Sequence, residues 1–123
     1  MLKLITLISS IIEPIVPCYA DHYPEEEEKV YPYADFKFDV TPNNTFSDNN
    51  ILAINVWHNL GTDIRAIEGI ADSINAALNR LKHNDTNFFV SIYKNTPCRL
   101  SLPDPEIGIQ RRELRYVVKT HRK

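Results

Sequence analysis

The chain is poor in the residues that usually carry chemistry. Its 123 residues include 3 glycines and 2 cysteines. The glycines stand singly, which excludes a P-loop or a dinucleotide-binding fingerprint, because both need several glycines within a few positions. Cys18 and Cys98 each follow a proline and lie in no C-x-x-C pair. They form no disulfide framework and read as two reduced, partly buried thiols, with a single long-range bridge left open for a secreted protein. His22, His58, His83 and His121 are scattered without metal-ligand spacing. No G-x-S-x-G elbow accompanies the serines, and Asp104 and Glu106, set between prolines, read as loop solubilisers. No stretch approaches the roughly 20 apolar residues of a membrane span. With no recognised constellation, the expectation is a protein that is not an enzyme, with no catalytic residue, metal or cofactor.

What is present describes one ordinary globular domain spanning residues 1–123. Hydrophobic residues make up 43% of the chain and charged residues 24%, too apolar for disorder. The net charge of −2 conceals an asymmetry. Residues 1–61 carry 3 Lys/Arg against 9 Asp/Glu, a balance of −6, and residues 62–123 carry 11 against 7, a balance of +4.

Leu4, Ile5, Ile8, Ile11, Ile12 and Ile15 follow helical spacing along one stripe. The segment also has the lysine, apolar run and Tyr19-Ala20 site of a cleaved leader. Thr6, Ser9, Ser10 and Glu13 interrupt it, however, and a leader needs bulk hydrophobicity rather than a face. An amphipathic helix over about residues 2–13, ended by Pro14 and Pro17, is the preferred reading. Glu25–Glu28 form a self-repelling acidic run, read as a solvated loop.

From Ala34 to Val40 apolar and charged residues alternate, as in a half-buried strand. Asn43–Asn50 reads as a loop and Ile51–His58 as a second strand, antiparallel to the first. Ile64, Ile67, Ile70, Ala71, Ile74, Leu78 and Leu81 recur every three or four residues, which predicts a helix over about 63–82, capped by Thr62 or Asp63. Gly69 inside it costs about 1 kcal/mol against alanine, and close approach to the sheet would account for it. Residues 87–94 and 112–120 read as the remaining strands, separated by a proline-bearing loop over 95–111. The resulting expectation is an α+β fold in the order α-β-β-α-β-β, with a four-stranded, mainly antiparallel sheet and two helices packed on one face.

Strand alternation assigns Phe36, Phe38, Leu52, Ile54, Val56, Phe88, Val90, Ile92, Leu114, Tyr116 and Val118 to the helix-covered face. The opposite face then shows Tyr33, Ile51, Ala53, Trp57, Phe89, Tyr93 and Val117. A monomer rarely exposes so many large apolar groups together, and aromatic residues on such a face are typical interface anchors. Self-association follows as the expectation, and the charge asymmetry suits head-to-tail contacts that close into rings or extend as filaments. The C-terminal cluster Arg111, Arg112, Arg115, Lys119, Arg122 and Lys123 attracts phosphates. It lacks a reading motif, and an exposed strand face with a basic tail is the simpler account.

Val30-Tyr-Pro-Tyr-Ala-Asp-Phe, Ile54-Asn-Val-Trp-His, the helix Ile64-Arg-Ala-Ile-Glu-Gly-Ile-Ala-Asp-Ser-Ile-Asn-Ala-Ala-Leu and the ending Arg112-Glu-Leu-Arg-Tyr-Val-Val together resemble the tail-terminator and tail-completion (head-tail joining) proteins of tailed bacteriophages. The resemblance covers about residues 2–120. It implies a structural subunit, assembled in the host cytoplasm, that forms a ring, a hexamer in that family, at the head-proximal end of the virion tail. Such a ring stops growth of the tail tube and docks to the head connector or stopper protein. It has no cofactor and no membrane contact, and DNA crosses its lumen without sequence-specific binding. Under this reading Trp57, Phe89, Tyr93, Ile51, Arg115 and Lys119 are candidate interface residues. Phe46, Leu100, Leu102 and Ile107 mark candidate docking loops. The Glu25–Glu28 run and the 95–111 loop depart from the family pattern and leave open which connector role applies. The competing classes are a small secreted or periplasmic binding domain with a cleaved leader and a nucleic-acid-binding module.

Overall fold

Pro14 has no N–H to continue a helix, and the first helix, α1 (Leu2–Ile12), ends just before it in the computed structural model. The structure describes residues 2–20, 31–40, 47–59, 64–84, 86, 88–102 and 109–122. The N–H groups of Ile15 and Val16 fold back onto the carbonyl of Ile12. Leu4, Ile8 and Ile12 are buried as one stripe, with Ile5, Ile11 and Ile15 packed beside them. The chain then enters β1 (Cys18–Ala20), and the Glu13 carboxylate accepts the Cys18 N–H at 3.2 Å.

The remaining elements are β2 (Tyr33–Val40), β3 (Ser47–His58), α2 (Arg65–Leu78), β4 (Lys82–Asn84), β5 (Phe88–Leu102) and β6 (Gln110–Arg122). The strands form one six-stranded mixed sheet in the order β1-β2-β3-β6-β5-β4. Only β1 against β2 is parallel; the other pairs are antiparallel. Both helices cover one face: α2 packs on β3 and β6, and α1 packs on β1 and α2. Ile67, Ala71, Ile74 and Leu78 of α2 meet Leu52, Ile54, Val56, Leu114, Tyr116 and Val118 in the core. Tyr116 is fully buried, and its hydroxyl donates to Asn75 Oδ1 of α2 at 3.0 Å, the partner that a buried phenol requires.

The expected four-stranded antiparallel sheet is therefore wrong in number and in type. β1 and β4 have three residues each, too few to display a period of two. The stretch read as a loop from Asn95 is strand as far as Leu102. The register between β5 and β6 shifts between Lys94 and Arg99, and Pro97 sits in that irregularity. A proline is tolerated at an edge or bulge, where no partner needs its N–H, and β4 pairs only with Phe89–Ser91. Likewise, residues 47–50 of the expected 43–50 loop belong to β3. Residues 43–46 and 103–108, including Phe46 and Ile107, and the helix-capping candidates Thr62 and Asp63 lie outside the described residues.

The expected end of the central helix at 82 is also corrected. The helix stops at Leu78, Arg80 adopts a left-handed φ of 64°, and the Leu81 carbonyl accepts the N–H of Ile92. Leu81 keeps helical spacing but packs on the core from outside the helix.

Gly69 does not mark a close approach. It is exposed, and an added Cβ would meet nothing within 4 Å. Gly69→Ala is therefore expected to stabilise the protein by about 1 kcal/mol, seen as a higher urea midpoint with an unchanged slope. Cys18 is a free, buried thiol whose pKa is pushed from 9.0 to about 12 by burial, with the charges of Glu13 and Asp35 adding to the effect. Because folding favours the protonated thiol, stability attributable to this group is intact below pH 9 and declines as pH rises from 9.0 toward about 12. Peptide mapping after iodoacetamide treatment at pH 8 should find Cys18 unmodified in the folded protein and alkylated once urea is added.

Candidate functional site on the open sheet face

Register across β2, β3 and β6 stacks three rows on the face away from the helices. Tyr33 pairs with Trp57 and Trp57 with Arg111 in the first. Asp35, Asn55 and Glu113 form the second, and Lys37, Ala53 and Arg115 the third. Strand alternation sends all of these side chains outward, because their even-numbered neighbours are committed to the core.

The first row is an aromatic cluster. Trp57 stacks on Tyr33 at 5.1 Å between ring centroids, Tyr31 and Tyr19 pack on Tyr33, and Arg111 lies over the indole at 5.3 Å. Tyr33 is only 2% exposed and Ala53 8%, so the expectation that both would be displayed on a wet face is corrected. Large rings pack laterally on one another along a sheet, and an arginine stem covers apolar surface while its charge stays in water.

The middle row is polar but recessed, with Asp35 at 8%, Asn55 at 5% and Glu113 at 8% exposure. Arg111 donates through Nε and Nη2 to Asn55 Oδ1, at 3.1 and 2.8 Å, and its Nη2 lies 3.8 Å from Glu113. Arg115 donates through Nε to the other oxygen of Glu113. Lys37, Ile51, Ala53, Asn55, Arg111, Glu113 and Arg115 line a half-open cavity of about 220 Å³. The Glu113 carboxylate at the floor accepts from Arg115 and lies 3.8 Å from the guanidinium of Arg111, and both arginines remain partly exposed.

The candidate interface residues share this face but do not form one patch. Ile51 is half-buried in the cavity wall, and Trp57 belongs to the aromatic cluster. Phe89 packs on His121 at 6.3 Å, and Tyr93, opposite Val117, is 40% exposed. Arg115 is tied to Glu113, and Lys119 is exposed opposite Ser91. Leu100 is half-buried opposite Glu113, and Leu102 lies in β5 opposite Arg111. Lys37, Asn55 and Glu113 also line the cavity and are not among the residues singled out from the sequence, whereas Arg111 belongs to the C-terminal basic cluster. A polar residue at one position on each of three paired strands would have signalled them, but only once the register was known.

Behind the sheet, a second set of ion pairs fastens β5 and β6 to α2. Glu68 accepts Arg112 Nε at 2.5 Å and Arg99 Nη1 at 3.0 Å, and Asp72 accepts Arg99 Nη2 at 2.8 Å. Among the described residues, no group of three or more His, Cys, Asp or Glu side chains could hold a metal, and no helix is long and apolar enough to cross a membrane.

Trp57→Ala removes one stacked ring and one cation–π contact and is expected to lower stability by about 2 kcal/mol. Urea denaturation followed by circular dichroism measures it; an unchanged midpoint would show that the cluster contributes no net stability.

No protein-family model matches this chain, and no curated protein does so.

Proposed function

We propose that this chain is a ring-forming structural subunit of a bacteriophage tail, a terminator or tail-completion protein at the head-proximal end of the tail tube. In this role it contacts the tube protein on one side and the head connector on the other, and its lumen passes DNA without reading it. The observation that carries the proposal is the division of labour between the two sheet faces. Both helices spend their apolar stripes on one face. The other face presents Tyr93, half-buried Trp57 and Phe89, and an outward-directed set of guanidinium groups. A sheet surface combining aromatic anchors with oriented charge suits protein–protein contact better than catalysis.

The resemblance adds to this reading, because its Pro-Tyr opening, Val-Trp strand, isoleucine-rich helix and closing strand correspond to β2, β3, α2 and β6. β1 and β4 lie at the sheet margins.

Negative-stain electron microscopy of the purified full chain is expected to show closed rings of uniform diameter. Tyr93→Ala, at an exposed position, is expected to reduce the ring fraction at least tenfold while shifting the melting temperature by less than about 2 °C. A protein that sediments as a monomer at every concentration up to the millimolar range, and forms no rings, would refute the proposal.

A further inference from the structure

A small residue at position 53 opens the sheet on the face away from the helices. Lys37 on β2 and Arg115 on β6 both lie opposite Ala53 on the intervening β3. At ~4.8 Å per strand, their Cα atoms are about 10 Å apart, and Ala53 contributes only a methyl group between two long cationic side chains. All three line the half-open cavity of about 220 Å³.

Hydrogen-bond donors in this cavity outnumber the acceptors that answer them. Arg115 spends Nε on Glu113 and has no partner for Nη1 or Nη2 among the described residues. Arg111 spends Nε and Nη2 on Asn55 Oδ1. That double donation fixes the orientation of the Asn55 amide, because only its oxygen accepts. Asn55 Nδ2 is left without a hydrogen-bond partner among the described residues, in a side chain whose residue is only 5% exposed. Lys37 is exposed and likewise makes no ion pair or hydrogen bond among them. Glu113 is the single carboxylate of the lining, against the three cations Lys37, Arg111 and Arg115. Asp35 adds a negative charge in the middle row, outside the lining, and the balance stays positive.

Unanswered donors and surplus positive charge together specify the complement. Water answers such donors one at a time. An oxyanion carries only acceptors, answers several donors at once and meets the charge as well. Size narrows the choice further. The cavity is smaller than the roughly 300–1,000 Å³ of pockets that enclose cofactor-sized ligands, so it suits one anionic group rather than a nucleoside or a sugar ring.

We propose that the cavity over Ala53 binds a single oxyanion group, a carboxylate or a phosphate, through Arg115 Nη1 and Nη2, Lys37 Nζ and Asn55 Nδ2. Glu113 holds Arg115 by its Nε and leaves the terminal edge of the guanidinium for bidentate contact. Arg111 connects the site to the indole of Trp57, 5.3 Å from its guanidinium carbon. The assignment stands apart from the ring reading and neither requires nor forbids it.

Trp57 is the single tryptophan of the chain, so its emission reports on this face. The full chain is titrated with sodium phosphate and, separately, with sodium acetate. Chloride keeps the ionic strength constant, so that screening does not change. At least one of the two oxyanions is expected to change Trp57 emission saturably and to raise the melting temperature, as a ligand of the folded state must. Arg115→Gln is expected to weaken half-saturation at least tenfold and Lys37→Gln at least threefold, with melting curves verifying that each variant folds. Lys37 has no partner to lose, so its variant carries the test if Arg115→Gln fails to fold. Lys119→Gln, exposed opposite Ser91 and outside the cavity, should bind like the parent. If neither emission nor melting temperature responds beyond the chloride control, there is no site. If Lys119→Gln weakens binding as much as Arg115→Gln, diffuse charge attracts the anion and the cavity assignment is wrong. A response to a DNA oligonucleotide, with none to phosphate or acetate, also overturns it and assigns the face to nucleic acid.

Discussion

The ladder between β3 and β6 is the contact on which the remaining structure depends. All 12 residues of β3 pair with β6, from Ser47 opposite His121 to His58 opposite Gln110. Because side chains alternate along each strand, this one register settles the parity of the whole sheet. A slip of one residue would turn one strand's set, either Leu52, Ile54 and Val56 or Leu114, Tyr116 and Val118, outward together. At roughly 1.5–3 kcal/mol for each fully buried side chain, that penalty is comparable to the net stability of an ordinary domain. The same parity places Asn55 beside Glu113 and delivers Arg111 to Trp57. The cavity on the open face is thus a consequence of the core on the other face.

The ladder also explains why adjacent arginines do different work. Arg111 and Arg112 are sequence neighbours, and the pleat sends them to opposite faces. Arg112 reaches Glu68 on α2, and Arg111 reaches Asn55 and the indole of Trp57. Glu68 and Arg99 are each about one-third exposed, so their ion pair adds little net stability, in the range of about 0–1 kcal/mol typical of exposed pairs. Its value is geometric. Arg99 lies beyond the register shift of β5, where β4 no longer supports the outer edge, and its bonds to Glu68 and Asp72 hold this part of the hairpin to α2.

Much of the core was legible in the sequence because it depends on periods. The stripe Leu4, Ile8, Ile12, the stripe Ile67, Ala71, Ile74, Leu78 and the alternating strands all lie where their spacing implies. Features without a period were missed. Three-residue strands cannot show alternation, and Pro97 disguised a strand as a loop because its tolerance depends on what lies beside it. Gly69 was given a packing reason when it has only open space around it. On the open face, the position of Trp57 could be read from alternation. Its burial could not, because stacking on Tyr33 depends on pairing between β2 and β3. The recessed row of Asp35, Asn55 and Glu113 was illegible for the same reason: three polar residues from distant parts of the chain become one feature only through register.

The charge asymmetry follows a similar logic at a larger scale. A difference between chain halves has no spatial meaning if the strands of the two halves are interleaved in the sheet. Here they are not: among the described residues, the halves pair through β3 and β6. The strands of the two halves thereby occupy opposite sides of the sheet, and apolar packing of α1 and α2 spans them.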